Sequence, residues 1–143
     1  MGLTVRKAEV RDVPQIFKMN EMFNEPGCTT VSQMTEELLS NSQETVCVAE
    51  LDGELVGFGC GQMVRSVCYS APHGEITELF VREEFLRMGV GKALMLYLEA
   101  HFTQRDVNDF KLYANPKNFA AQMLYMECGY SYDLKFSFWK FVK

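Results

Sequence analysis

The spacing of apolar positions changes several times along this chain, and each change marks an element. Residues 3–6, Leu-Thr-Val-Arg, alternate as a first strand. Asp12 stands where a helix N-cap belongs, with Pro14 in the first turn and Gln15 as capping-box partner, and predicts a helix over residues 13–23. Asn24-Glu25-Pro26-Gly27 breaks it, and Thr30 is placed to cap a second helix over residues 31–39 that ends at Asn41-Ser42. Residues 46–49 and 55–64 read as two strands joined by an Asp52-Gly53 hairpin turn. Gly57, Gly59, Cys60 and Gly61 crowd small residues into the second of these, which signals a bulge or a close backbone approach.

A loop over residues 65–74 leads to a strand over residues 75–81. Strict alternation there puts Glu75, Thr77, Leu79 and Val81 on one face, and Glu78 on the other with Ile76 and Phe80. Arg87-Met88-Gly89-Val90-Gly91-Lys92 then opens a strongly periodic helix, and residues 110–114 form the next strand. Asn118 is placed to cap a helix over residues 119–128, whose Ala121, Leu124, Tyr125 and Cys128 share one face before Gly129 stops it. Residues 130–142 are rich in aromatic side chains and read as one or two closing strands. The order β-α-α-β-β-β-α-β-α-β describes one α+β (α/β) domain over residues 1–143, a mixed central sheet of six to seven strands flanked by about four helices.

Residues 87–92 carry the first chemistry. A glycine-bearing turn between strand and helix aims backbone N–H groups at the positive helix end, which suits phosphate. The turn fails two glycine-loop templates. Ala93 stands where a Walker loop needs Ser or Thr, and Leu94 takes the place of the dinucleotide fingerprint's third glycine. Taken alone, it is equally an ordinary strand-to-helix connection.

Composition narrows the partners. Hydrophobic residues at 48% of 143 exclude a disordered chain, and a net charge of −5 disfavours nucleic acid while suiting a cationic substrate. No pair among Cys28, Cys47, Cys60, Cys68 and Cys128 has metal-binding spacing, so no metal is expected and the thiols read as reduced packing residues of a cytoplasmic protein. His73 reads as an exposed loop residue that could assist as a base, and His101 as structural. The nine methionines, Met63, Met88, Met95, Met123 and Met126 among them, read mostly as core filler. The N-terminus turns polar too soon for a signal peptide and lacks a myristoylation pattern, and no apolar run approaches a bilayer span, so no membrane partner is expected.

The segment 74–81, the turn 87–92 and the later Asn118-x-x-Ala121-x-x-Leu124-Tyr125-x-x-x-Gly129-Tyr130 occur in an order and spacing that closely resemble the GCN5-related N-acetyltransferase (GNAT) superfamily. Val5-Arg6-Lys7-Ala8-x-x-x-Asp12 also looks like a typical opening of that family. One departure stands out: the family's Gln or Arg three places before the first turn glycine is Leu86 here, with the arginine one place later at Arg87.

The resemblance implies acetyl-CoA as acetyl donor in a direct, ternary-complex transfer to a primary amine. Backbone groups of Leu79, Phe80 and Val81 would pair with the pantetheine arm, and N–H groups of Arg87, Met88, Gly89, Val90, Gly91 and Lys92 would hold the pyrophosphate. Arg87 and Lys92 side chains add charge in one reading and are solvated cations in the other. Glu75 is the first candidate general base and Glu78 its competitor; either is otherwise a sheet-surface carboxylate. Tyr125 is the candidate general acid, since a phenol with a pKa near 10 stays protonated beside a leaving thiolate whose thiol titrates near 8.5. It is otherwise a core tyrosine. Asn118 caps its helix and, by the resemblance, also touches the cofactor.

The acceptor is read as a small-molecule amine, bounded by the loop 24–30, the second helix, the loop 65–74 and the aromatic C-terminus. Glu21, Glu25, Glu36 and Glu37 would attract its charge, and Tyr69, Tyr130 or Trp139 would stack on it. A protein amine, a non-catalytic acyl-CoA-binding module and a nucleotide-phosphate binder are the competing readings. The resemblance also admits a homodimer through the C-terminal strands.

Overall fold

β1 (Leu3–Lys7) forms one edge of a five-stranded sheet of order β1-β2-β3-β4-β5. β2 (Glu44–Leu51), β3 (Glu54–Val64) and β4 (His73–Val81) follow antiparallel, and β5 (Phe110–Leu112) joins β4 in parallel, so the sheet is mixed. The computed structural model describes residues 2–143, in two compact units. One runs to Tyr113 and contains the whole sheet with α1 (Val13–Phe23), α2 (Val31–Ser40) and α3 (Val90–Thr103). The other runs from Ala114 to Lys143 and contains α4 (Phe119–Glu127). Among the described residues no helix is long and apolar enough to cross a membrane.

α3 and the α1–α2 pair cover opposite faces of the sheet. On the α3 face, β3 presents its glycines because nothing larger fits. A Cβ on Gly57 would meet the Phe80 carbonyl oxygen at 2.7 Å and Leu94 and Val90 at 3.2 Å, and one on Gly61 would meet the Phe102 ring at 2.9 Å. The helix therefore lies directly on the strand, and its Leu94, Met95, Leu98 and Phe102 are buried. Each such side chain contributes roughly 1.5–3 kcal/mol. On the other face, Ile16 and Met19 of α1 pack with Val48, Leu55, Phe58 and Cys60, and Met34 and Leu38 of α2 close over them.

The start of α1 differs from the capping box expected between Asp12 and Gln15. Asp12 has helical backbone angles and makes no side-chain cap to α1. Its carboxylate instead accepts from the Glu9 N–H at 2.7 Å, closing a single 3-10 turn over Val10–Asp12, and takes both Arg6 nitrogens at 2.8 and 2.9 Å. Arg6 outcompetes a neutral cap because a bidentate charged pair is the stronger interaction. Gln15 turns away and accepts from the Leu55 N–H. Thr30 does cap α2, accepting from Gln33 N–H at 3.1 Å.

The sheet has five strands, where reading residues 130–142 as one or two closing strands predicts six or seven. That segment carries no strand, and its Phe136, Phe138 and Trp139 are exposed. A strand exists only as part of a hydrogen-bonded ladder, and within this unit α4 is the one regular element and offers no strand edge. Met88, Met123 and Met126 are likewise exposed rather than core filler, whereas Met19 and Met95 are buried. Cys47 and Cys60 are buried, but Cys68, expected as a packing residue, lies exposed in the long loop before β4.

Candidate active site

β4 organises the chemistry through one irregularity. Cys60 and Gly61 are adjacent on β3, yet they pair with Glu78 and Ile76, leaving Thr77 as the extra residue of a β-bulge. The Thr77 hydroxyl donates to the Cys60 carbonyl at 3.3 Å. The bulge overturns the expected distribution of side chains. Ile76 pairs with Gly61 and Leu79 with Gly59, so both lie on the α3 face. Glu75 pairs with Gln62, Glu78 with Cys60 and Phe80 with Phe58, so both carboxylates share the face covered by α1 and α2. Strict alternation separates Glu75 from Glu78; the inserted residue brings them together. His73 belongs to the strand rather than the preceding loop, is half-buried, and pairs with Val64 on the same face, its Nε2 without a hydrogen-bond partner.

Glu78 borders a cavity of about 130 Å³ walled by Val13, Ile16, Met34, Leu38, Val46 and Phe58. Asn20, Asn41, Glu37, Glu44 and Cys60 complete its lining. Burial, together with the charges of Glu78 and Glu37, raises the Glu44 carboxyl above its ordinary range, and a hydrogen bond from Cys60 opposes that rise. Burial also holds the Cys60 thiol well above its usual pKa, so it is a protonated packing group rather than a nucleophile. Glu78 takes a hydrogen bond from the loop after α1: Asn24 Nδ2 donates to Glu78 Oε1 at 3.3 Å and to Asn20 Oδ1 at 2.7 Å. The sequence marks Asn24 as a helix breaker and the start of the acceptor loop, but not as a partner of Glu78, because the 54-residue separation between them is bridged only by the fold.

Beyond the bulge β4 outruns its outer neighbour. β5 pairs with Gly74, Glu75 and Ile76 only, whereas β4 continues to Val81. The edge along Leu79, Phe80 and Val81 therefore has no β5 ladder on it. This edge leads through Arg82 and a short 3-10 turn at Glu83–Phe85 to the turn 86–89. Arg87 and Gly89 both adopt positive φ, 65° and 81°, and Gly89 is the N-cap of α3, with no side chain capping it. The first-turn N–H groups of Val90, Gly91 and Lys92 are thus left to a ligand or solvent. Gly89 reaches its φ without strain, whereas Arg87 holds a left-handed backbone that a side chain disfavours.

Asn118 and Tyr125 belong to the second unit. The Asn118 side chain accepts from Ala121 N–H at 3.1 Å, which confirms it as the cap of α4. Tyr125 is half-buried with its ring 6.5 Å from that of Tyr130, and burial raises its phenol above the ordinary value. Among the residues considered for the acceptor, Glu21 accepts from the Gly27 N–H within the loop after α1, and Tyr69 and Trp139 are exposed. His101 has the structural role expected of it, 3.1 Å from Thr45 Oγ1 and edge-on to Phe102.

The sequence model of the acetyltransferase (GNAT) family matches residues 12–130, most of the chain, and the chain belongs to that family of N-acetyltransferases. It is 37% identical over 89 residues to an uncharacterized N-acetyltransferase of Archaeoglobus fulgidus, a match that takes in 62% of this chain and 60% of that relative. Two solved structures share the fold across 100% of both chains. The aminoglycoside N-acetyltransferase AAC(6')-Iy, solved with a CoA-based bisubstrate analogue of acetylneamine, superposes with a TM-score of 0.87 at 18% identity. Glucosamine-6-phosphate N-acetyltransferase from Arabidopsis thaliana superposes with a TM-score of 0.84 at 20% identity.

Proposed function

We propose that this protein is an acetyl-CoA-dependent N-acetyltransferase acting directly on a primary amine of a small molecule, in the cytoplasm. The observation that carries this reading is the β4 edge at Leu79, Phe80 and Val81, which runs beyond its pairing with β5 and leads to the uncapped N-terminus of α3. The residues present fit acetyl-CoA on that ground. An amide-bearing arm pairs with a strand edge, and N–H groups of residues 87–92 at a positive helix end suit a pyrophosphate. AAC(6')-Iy, which shares the fold, was solved with a CoA-based ligand.

Bound there, the cofactor supplies an acetyl thioester as donor. The chain's own part is to bind, orient and move protons. A carboxylate of Glu75 or Glu78, now on one face of β4, takes a proton from the acceptor ammonium, directly or through water. Tyr125, kept protonated by burial, is assigned the hydrogen bond to the departing sulfur, and Asn118 a contact to the cofactor beside its capping role. The acidic cavity rim of Glu37, Glu44 and Glu78 favours a cationic acceptor over an acidic one. The related enzymes named for aminoglycosides and an amino-sugar phosphate support a small-molecule amine, while acylation of a protein amine is the alternative in the same class.

The test is CoA release from acetyl-CoA with an amine panel: an aminoglycoside, glucosamine 6-phosphate, a polyamine and an N-terminal peptide. Turnover of a small amine is expected, reduced at least 100-fold when the functional glutamate is changed to glutamine and by about tenfold in Tyr125→Phe. Acetyl-CoA binding without release by any amine would instead identify a non-catalytic acyl-CoA-binding module.

A further inference from the structure

We infer that Asn24 is a positioning residue for Glu78, and that of the two β4 carboxylates Glu78 is the one aimed for proton transfer. This rests on the acetyltransferase reading above and goes beyond it by choosing between the two glutamates and naming what holds the chosen one.

The argument begins at the end of α1. Asn24 is the C-cap of that helix, its N–H bonded to the Asn20 carbonyl at 2.7 Å. The same pair is tied a second time through side chains, Asn24 Nδ2 to Asn20 Oδ1, also at 2.7 Å. Two bonds to one residue fix the direction of the Asn24 amide. An amide nitrogen carries two donors. One is spent on Asn20, and the other reaches across to Glu78 Oε1. The carboxylate is thus held by a neutral donor that is itself held by a helix end. Glu75 accepts no such bond among the described residues, although the bulge puts it on the same face.

The groups facing Glu78 from each packed element are unequal. β2 brings Glu44, β3 brings the Cys60 thiol, α2 brings Glu37, and β4 itself carries Glu75 and His73 on the same face. Toward the carboxylates among them, α1 and the residue after it bring the amides of Asn20 and Asn24. Among the described residues, Asn24 is therefore the side chain that donates to the Glu78 carboxylate and steadies it among its acidic neighbours. Because Asn24 is also the first residue of the loop expected to bound the acceptor, any shift of that loop on substrate binding is transmitted to the carboxylate through a single amide.

The experiment compares Glu75→Gln, Glu78→Gln, Asn24→Ala and Asn24→Asp in the full chain, with acetyl-CoA and the panel amine that the wild type turns over best. Glu78→Gln is expected to lose at least 100-fold in kcat/KM, and Glu75→Gln less than tenfold. Asn24→Ala should lose about tenfold, mostly in kcat, the scale of one hydrogen bond to a charged group, with acetyl-CoA affinity by calorimetry unchanged. Asn24→Asp should move the acid limb of the kcat/KM profile up by about one pH unit, since it replaces a donor with a like charge. Glutamate side-chain 13C titration, with the Glu78 signal assigned by its loss in Glu78→Gln, should show the same displacement. An acid limb and a 13C midpoint that stay in place in Asn24→Asp would overturn the proposal, as would Glu75→Gln being the inactive variant. Were the wild type itself to release no CoA with any panel amine, the transferase reading would fall, while the 13C midpoint would still decide whether Asn24 governs Glu78.

Discussion

The two faces of the sheet are built on opposite principles. Under α3 the strand gives up its side chains, so that helix and sheet touch backbone to side chain and leave no space. Under α1 and α2 the same strands carry Phe58, Cys60 and Glu78, and the helices stand off far enough to leave a cavity edged with carboxylates. One face is assembled for stability, and the other accepts looser packing and crowded charge. Such a division is expected where a binding surface must be held by something rigid behind it.

The contrast is sharpest at two leucines. Leu98, fully buried on α3, should cost about 3 kcal/mol or more as Leu98→Ala, whereas Leu38→Ala on α2, half-buried beside the cavity, should cost about 1 kcal/mol. Chemical denaturation of both variants checks this, and equal losses would break the comparison. Next in size, Asp12→Asn should cost about 2 kcal/mol by removing the buried partner of Arg6, less than for a fully enclosed pair because Glu50 still pairs with that guanidinium. Its pH signature follows from sign. Arg6 lowers the Asp12 carboxyl below its ordinary 3.8, so the contribution is present above that value and lost as pH falls below it. Acid unfolding of the wild type should therefore be steeper than that of Asp12→Asn.

The smallest effect belongs to the cavity. Burial raises the folded Glu44 carboxyl above its ordinary 4.5, so stability is fullest below that pH and declines as pH rises through the folded value. Glu44→Gln should remove the decline, leaving the variant about 0.5 kcal/mol more stable near neutrality. Melting curves at pH 4 and pH 8 give the comparison.

Much of the fold is written locally. The 13–23 helix, the Thr30 cap and the Asp52-Gly53 hairpin follow from neighbours a few residues apart, and the structure has each of them. The small residues of β3 signal a bulge or a close approach; the close approach is present at Gly57 and Gly61, and the residue bulged against Cys60 and Gly61 is Thr77 of the neighbouring β4. What could not be read depends on distant partners. Arg6 diverts Asp12 from its expected cap, and Asn24 meets Glu78 only once α1 lies on the sheet. The aromatic residues over 130–142 suit a strand, but say nothing about which edge it would join. The turn at 87–92 was legible as a type from its glycines, while the left-handed backbone of Arg87 was not, because the φ of a single residue leaves no periodic trace.

Thr77 has a consequence in the arithmetic of the strand. Facing along β4 is a parity, and one inserted residue changes it for everything downstream. Substituting this exposed side chain should leave the parity alone. Removing the residue would restore even counting, so that either Glu75 swings toward the packed helix or Leu79 and Phe80 exchange faces. At this position the length of the chain is more tightly specified than its chemistry, and a deletion would be the severe lesion where a point replacement is mild.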